Sequence, residues 1–275
     1  MRIRRYIQLL LVTASLSTTS LPAVDTMLPA PAAIDAAMRL ANDHWQEQHS
    51  RFGNSGWERS SYMIGNLTAW QSLGEPAWLD YAVGWGERND WKLVNRELEA
   101  DAQCCGQSYY VLYDHEPLAE RTAAIDASID DLVASERIGS WDWIDALFMA
   151  MPTLVHRGLH TGDTAYADRM RDMYLDTRDR QGLFSAELGL WFRDDRYVYP
   201  ANTSPNGLPI CWSRGNGWVI AAMARSLTLL PADHPDRALY ADMLQTMAAS
   251  LRQHQRSDGF WNANLTDPDH HGGRE

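Results

Sequence analysis

Residues 161–166 read Thr-Gly-Asp-Thr-Ala-Tyr and join a small-residue-rich apolar run at 143–157 to a more charged run at 165–180. The same order recurs around residues 73–78, Leu-Gly-Glu-Pro-Ala-Trp, and around residues 231–235, Pro-Ala-Asp-His-Pro. In each case an apolar helix comes first and a charged helix follows. This pattern is typical of stacked αα-hairpins, in which inner helices pack tightly and outer helices face water. The sequence therefore predicts an all-α protein built from repeated helix pairs.

Helical rather than alternating periodicity runs through almost every long segment. Proline suits the first turn of a helix and glycine suits its end, which places boundaries near Pro76, Pro235, Gly74, Gly158 and Gly182. The predicted helices cover Ala32–Gln48, Ser61–Leu73, Pro76–Asn89, Asp101–Tyr113, Leu118–Ser135, Trp143–Arg157, Ala165–Arg180, Asn216–Leu229 and Pro235–Gln255. Residues 183–210 combine aromatic residues with turn-forming Asn, Pro and Gly, so a short β-hairpin or an ordered loop is expected there.

An open solenoid and a closed toroid would both satisfy the pattern of helix pairs. Tetratricopeptide-like arrays keep a strict short period, whereas here the spacing varies and aromatic loops interrupt it. We therefore predict a toroid. The loops before its inner helices converge on one end of a central funnel, so residues at inner-helix starts are expected to meet there. These candidates are Tyr62, Asp101 with Gln103 and Gln107, residues 141–145 with Trp143, and residues 212–218.

Composition and charge narrow the classes of ligand. The formal net charge of −12 argues against nucleic acid as a partner, because phosphates require clusters of Lys and Arg. An acidic small molecule stays compatible with this charge, since one buried Arg can bind a carboxylate through two hydrogen bonds. The chain also holds 12 Trp in 275 residues, more than a core usually needs. Platforms under sugar rings and plain packing are the two explanations for this excess.

The N-terminus resembles a targeting segment. Arg2, Arg4 and Arg5 form a basic start, and the mostly apolar run at 7–16 is too short to span a bilayer. We predict a signal peptide at 1–23 and a single domain at 24–275, with an amphipathic N-terminal helix as the alternative. The mature protein is then expected to be exported, either periplasmic or secreted, and to have no membrane partner.

The three cysteines do not suggest a disulfide framework. Cys104 and Cys105 are adjacent, which makes a mutual bridge strained, and Cys211 stands alone. Buried free thiols are therefore expected. His270 and His271 at the end of the chain do not supply the spacing of a metal site, so no metal ligand is predicted.

Two aspartates lie near the starts of predicted inner helices. Asp145 is followed by the apolar run at 146–152, and Asp142 before it could serve as the helix cap, which would leave Asp145 one turn inside the helix. Apolar surroundings would raise the pKa of Asp145 and let it act as a general acid, although the helix N-terminus acts in the opposite direction. Its other interpretation is an ordinary carboxylate at a helix start. Asp101 is an ordinary N-cap candidate, while Gly106 within its helix suggests close approach of another backbone or a substrate.

Residues 211–218 read Cys-Trp-Ser-Arg-Gly-Asn-Gly-Trp and form the most specific motif of the chain. Its two glycines permit a sharp turn into the next helix. Arg214 offers a planar fork for a carboxylate, and Trp212 and Trp218 offer rings for a sugar face. The alternative is a structural turn in which Arg214 pairs with a carboxylate of the protein.

These motifs, together with residues 100–109, 143–150 and 190–194, resemble glycoside hydrolase family 105. Its members include the unsaturated rhamnogalacturonyl hydrolases, and family 88, the unsaturated glucuronyl hydrolases, is related. The resemblance runs from about residue 32 to the end of the chain and implies an (α/α)6 barrel. It also implies an oligosaccharide substrate with a 4,5-unsaturated uronic acid at its non-reducing end, such as lyase-generated pectin fragments. No metal or organic cofactor is implied.

The resemblance also implies roles for particular residues. Asp145 would protonate C4 of the vinyl ether and help to activate the water that adds at C5. Asp101 would orient substrate or water. Residues lining the site would include Trp212, Arg214 and Trp218, and inner-helix starts add Trp143, Tyr62 and Gln107 as predicted substrate contacts.

Two features depart from the family pattern. Some rhamnogalacturonyl members carry a His in the aromatic loop, whereas residues 184–188 contain none, which affects the expected sugar preference. A complete barrel has twelve helices and nine are predicted, so C-terminal helices are expected to be missing. Two further hypotheses stay open: an inverting glycosidase acting on saturated sugars, and a sugar-binding fragment without catalysis.

Overall fold

The computed structural model describes residues 29–94 and 98–271 of the chain. Ten α-helices make up most of this described part. They are α1 Pro31–Gln48, α2 Trp57–Leu73, α3 Pro76–Arg88, α4 Ala100–Gln103, α5 Gly106–His115, α6 Ala123–Ala134, α7 Asp145–Thr161, α8 Ala165–Leu175, α9 Ser213–Leu229 and α10 Arg237–His254. The predicted leader at 1–23 lies outside the described residues. None of the described helices is both long enough and apolar enough to span a membrane.

The aromatic segment between α8 and α9 contains a small hairpin, as predicted. Strands β1 Phe184–Ser185 and β2 Leu190–Trp191 pair antiparallel, with Phe184 opposite Trp191. Gly189 sits at φ 64°, a left-handed conformation that glycine adopts without steric cost. Trp191 is fully buried, so the hairpin is anchored in the helical core.

The apolar helices form the interior and the charged helices cover them. In α7 every residue from Ala146 to His156 is buried, and α7 packs against α4, α5, α8 and α9. Near the starts of α7 and α9, the rings of Phe148 and Trp218 lie 4.7 Å apart. Near their other ends, His156 and Arg225 line one cavity. The inner helices therefore run in the same direction, and their N-terminal ends face one end of the fold.

Close packing of the inner helices explains the glycine within α5. A Cβ on Gly106 would lie 2.5 Å from Cγ2 of Thr153 on α7 and 2.6 Å from Cγ1 of Ile125 on α6. The sequence suggested close approach of another backbone or a substrate at this position. The structure instead fills the space with side chains of two neighbouring helices.

Several helix boundaries differ from those predicted. The helix predicted over 101–113 divides into α4 and α5 at Cys104 and Cys105, although both keep right-handed helical angles. The predicted helix over 118–135 begins only at residue 123, after a 3-10 turn at Ala119–Arg121. The helix after Ala165 ends at Leu175 and continues as a wider π turn over Asp176–Arg180. All three cysteines are buried free thiols, as expected.

Candidate active site

Asp145 is the first residue of α7, which corrects the prediction that it would lie one turn inside the helix. Helix α7 starts late because the preceding backbone is held by the neighbouring loop. The amide of Ile144 donates to the carbonyl of Arg193 at 3.0 Å, and Trp143 forms a β-bridge with Asp194. Trp143 is therefore paired with that loop, whereas Ile144 already has right-handed helical angles, and α7 begins directly after it.

One oxygen of the Asp145 carboxylate has no hydrogen-bond partner. This atom, Oδ2, is buried and finds no donor among the described residues. Burial raises the pKa of Asp145 above its ordinary value, against the opposing effects of its own backbone amide and of Arg193 and Arg214. Asp194 acts in the same direction as burial, because its negative charge disfavours a second one nearby. The arrangement therefore favours a carboxyl group that keeps its proton to higher pH.

Two arginines and a tryptophan lie beside this carboxyl group. The guanidinium carbon of Arg214 is 4.3 Å from the centroid of the Trp212 ring, and that of Arg193 is 5.6 Å from it. Both distances fall within the range of cation–π contacts. Arg193 and Arg214 also influence the pKa of Asp145 directly. The indole of Trp212 thus holds two cations close to the candidate acid.

Asp194 fixes the position of the loop that carries Arg193. Its side chain is almost fully buried and forms a two-point ion pair with Arg196, with distances of 2.9 and 2.8 Å. Burial alone would raise the pKa of Asp194, but the hydrogen bonds from Arg196 outweigh it, and the pKa is lowered. Asp194 therefore stays ionised next to a carboxyl group whose pKa is raised.

The start of α9 is held by backbone contacts and by Asn216. The Asn216 side chain accepts from the amide of Trp191 at 2.8 Å and donates to the carbonyl of Trp191 at 2.9 Å. Both glycines of the motif lie inside α9 rather than in a turn before it, because the helix begins at Ser213. A Cβ on Gly215 would lie 2.7 Å from Trp212 Cε3 and 2.9 Å from Ile144 Cδ1. Gly215 therefore allows Trp212 to pack against the start of α7.

Trp218 joins three inner helices near their starts. Its ring lies 4.7 Å from Phe148 on α7 and meets Trp57, the first residue of α2, edge to face at 6.4 Å. The N-terminal ends of α2, α7 and α9 thus come together, as the toroid predicts. Sequence reasoning missed Trp57, because it placed the start of this helix at Ser61 rather than at Trp57.

Two concave surfaces meet at Arg214. One cavity of about 380 Å³ is lined by both arginines and Trp212, and the loop at 263–264 closes it. A groove of about 530 Å³ on the other side of Arg214 is mostly apolar and includes Trp218 and Trp261. Together they offer space for a sugar unit at the two arginines and for a longer chain beyond it.

Three further residues that were predicted for the site lie on α4, α2 and α5. Asp101 is the second residue of α4 and half-buried, at the same end of the inner helices as Asp145. Tyr62 lies in the second turn of α2, donates to Asn42 at 2.5 Å and stacks on Trp45, so it packs against α1. Gln107 is fully buried and donates to the carbonyl of Phe148 at 2.7 Å. The structure does not bring Tyr62 or Gln107 beside Asp145, and their roles as substrate contacts stay predictions.

Arg193 and Asp194 are two further site residues that sequence reasoning did not assign. Both occur in the segment 190–194 that carried part of the resemblance, so the signal was present in the sequence. Nothing in that segment indicates which inner helix it packs against. The hydrogen bond from Ile144 to Arg193 supplies that information, because it attaches the segment to the start of α7.

A family model described as Glycosyl Hydrolase Family 88 matches residues 32–275. The unsaturated 3S-rhamnoglycuronyl hydrolase of Formosa agariphila is 31% identical over 257 residues, which cover 86% of this chain and 67% of that protein. The solved structure of a family 88 glycosyl hydrolase from Bacteroides vulgatus has a TM-score of 0.84 at 30% identity. The match covers 89% of this chain and 74% of the other.

A family 105 glycoside hydrolase from C. acetobutylicum has a TM-score of 0.68 at 18% identity, over 86% of this chain and 70% of the other. At that identity the likeness shows the fold alone. The predicted toroid is confirmed, and so is the predicted relationship to family 88; family 105 shares the fold. The chain belongs to glycosyl hydrolase family 88 and is an all-α glycoside hydrolase.

Proposed function

We propose that this enzyme removes a 4,5-unsaturated uronic acid from the non-reducing end of lyase-generated oligosaccharides by hydrating the double bond. The observation that carries the proposal is the buried, unpartnered Oδ2 of Asp145 at the junction of three inner helices. A vinyl ether must be protonated on carbon before water can add, and this step needs an acid that holds its proton near neutral pH. Burial of Asp145 favours that state.

The reaction follows from a single proton donor. Asp145 donates its proton to C4, and the positive charge that develops at C5 is shared with the ring oxygen. Water adds at C5 and loses a proton to the Asp145 carboxylate, which restores the acid. The resulting hemiketal opens to a ketone at C5, and the hemiacetal left at C1 releases the aglycone sugar. One water is consumed in total. Asp101 would orient the substrate or the water from its position on α4.

Arg193 and Arg214 suit the carboxylate of the uronic acid. Both guanidinium groups lie near Asp145, and both are side chains of exposed residues that can meet a ligand in the cavity of about 380 Å³. A carboxylate placed there would gain charge-assisted hydrogen bonds. Trp212 would hold both cations beside it. A neutral sugar would not use these groups, which favours an acidic substrate over a saturated neutral one.

The aglycone that we propose is rhamnose. The name of the Formosa agariphila relative joins a glycuronyl unit to rhamnose, and the chain shares 31% identity with that protein. Lyase-generated rhamnogalacturonan fragments from pectin contain the same kind of pair, an unsaturated uronyl unit on rhamnose. The mostly apolar groove with Trp218 and Trp261 offers a surface for the deoxy sugar and its continuation.

The decisive assay follows the double bond itself. We expect the purified protein to abolish the ultraviolet absorbance of an unsaturated uronyl-rhamnose disaccharide, with release of rhamnose. The matched control is the saturated disaccharide, which should give no rhamnose. Release from the saturated sugar would indicate an ordinary inverting glycosidase instead. Tryptophan fluorescence changes on binding of both sugars, without turnover of either, would indicate a sugar-binding protein.

Replacing Arg193 tests how the substrate carboxylate is bound. Arg193→Met is expected to raise KM for the uronyl substrate by roughly 10- to 100-fold, because a hydrogen-bonded ion pair contributes about 1.5–3 kcal/mol. For the methyl ester of the same substrate, the same replacement should raise KM much less. Arg171→Met on the outer helix α8 is the control and should leave KM unchanged. An equal effect on acid and ester would contradict the role of Arg193.

A further inference from the structure

A second cavity lies at the other end of the inner helices from Asp145. It encloses about 420 Å³. Its lining comes from the C-terminal halves of four inner helices and includes Gln71 of α2, Asp114 of α5, His156 of α7 and Arg225 of α9. His156 follows Asp145 by eleven residues on one helix, a separation of about 16 Å along the axis. Nothing in the proposed hydration reaction uses this cavity.

Three residues with metal-binding side chains converge there. His156 and His160 are four residues apart, so their rings share one face of α7. Asp114 approaches from the last turn of α5, and its Oδ1 lies 2.8 Å from Nε2 of His160. One ligand atom from each of the three lies within 4.8 Å of the others. Small rotations of the more exposed Asp114 and His160 would bring all three within reach of one ion.

His156 is the most buried of the three residues. The residue is only 5% exposed, and it lines the cavity that an ion would occupy. Its ring stacks on that of Tyr110 at 5.3 Å, which fixes its plane.

We propose that Asp114, His156 and His160 bind a divalent transition-metal ion of the Zn²⁺ class, with water in the remaining positions. Two imidazoles and one carboxylate are a common ligand set for such ions. The ion would take the place of the contact between His160 and Asp114 and would link α5 to α7. Arg225 on the cavity wall opposes the ion by its charge, although its Nε is engaged by Gln107 at 2.8 Å. The carboxylate of Asp114 offsets that charge.

Co²⁺ is the probe, because its visible absorption reports the ligands directly. Full-length protein stripped of metals with a chelator is titrated with Co²⁺, and Zn²⁺ is then added as competitor. We expect one saturable equivalent, displaced by Zn²⁺, and a rise in Tm on Zn²⁺ binding. His160→Ala and Asp114→Asn should each weaken Co²⁺ binding by about tenfold or more. Both residues are partly exposed, so these variants should fold.

Controls separate this site from adventitious binding. His44→Ala removes an exposed histidine of α1, and a double His270→Ala, His271→Ala variant removes the stacked pair at the end of the described chain. Both should bind Co²⁺ as the unchanged protein does. Absence of a saturable spectrum would overturn the proposal, as would binding that survives His160→Ala. The readout is independent of the hydration assay, so failure of one does not affect the other.

Discussion

Asp145→Asn is expected to lower kcat by a factor of about 10² to 10⁴, the range that general acid catalysis contributes. The amide has nearly the same shape as the carboxyl group but cannot donate a proton to C4. Substrate should still bind, because Arg193, Arg214 and Trp212 keep their places beside the cavity. The measurement is the loss of ultraviolet absorbance by the unsaturated disaccharide under single-turnover conditions. An unchanged kcat would contradict the role of Asp145 as the acid.

The stability of this variant gives an independent check. The pKa of Asp145 is raised in the folded protein, so this group lowers stability as the pH rises from its ordinary pKa in the unfolded chain to its raised pKa in the folded protein, and the loss stays constant above that. Asn carries no such charge. Asp145→Asn should therefore be as stable as the unchanged protein at low pH and more stable at higher pH. Asp142→Asn, three residues earlier and exposed, is the matched control and should alter neither kcat nor this pH dependence.

The candidate acid shows how far sequence reasoning reaches. The apolar run at 146–152 indicated desolvation, and the structure has all of these residues buried around α7. The position of Asp145 at the helix start was not readable, because it depends on the hydrogen bond from Ile144 to Arg193, some fifty residues along the chain. The same long-range contact brings a second arginine to the site. Local pattern thus predicted the acid, and tertiary contact determined its electrostatic surroundings.

The direction of individual side chains was the weaker part of the prediction. Periodicity identified the inner helix that contains Tyr62, but its start lies at Trp57, four residues before the predicted one. Trp57 consequently meets Trp218 while Tyr62 turns towards α1. The spacing of His156 and His160 was visible in the sequence as well. Their partner Asp114 comes from another helix, so only the packing of α5 on α7 reveals the cluster.

Gly215→Ala is the second substitution with a large expected effect. The new Cβ would lie 2.7 Å from Trp212 Cε3 and 2.9 Å from Ile144 Cδ1, so at least one of them must move. Overpacking of this kind costs about 1–3 kcal/mol, against a gain of about 1 kcal/mol from helix propensity. We expect a net loss of stability and a decrease in Tm of a few degrees. Displacement of Ile144 would also shift Asp145, its neighbour in sequence.

The effect on catalysis should exceed the effect on stability. Trp212 holds the arginines that we assign to the substrate carboxylate, and misplacement by about 1 Å can cost roughly 10²-fold in rate. We therefore expect kcat/KM of Gly215→Ala to fall by about 10- to 100-fold at temperatures where the variant is folded. Gly217→Ala, two residues on in the same helix, is the matched stability control, since its Cβ meets nothing within 4 Å. It should raise Tm, because alanine gains about 1 kcal/mol over glycine inside a helix. A rise in Tm of Gly215→Ala as well, with kcat/KM unchanged, would show that Trp212 can move without loss. The packing of α9 on α7 would then not be what positions Asp145.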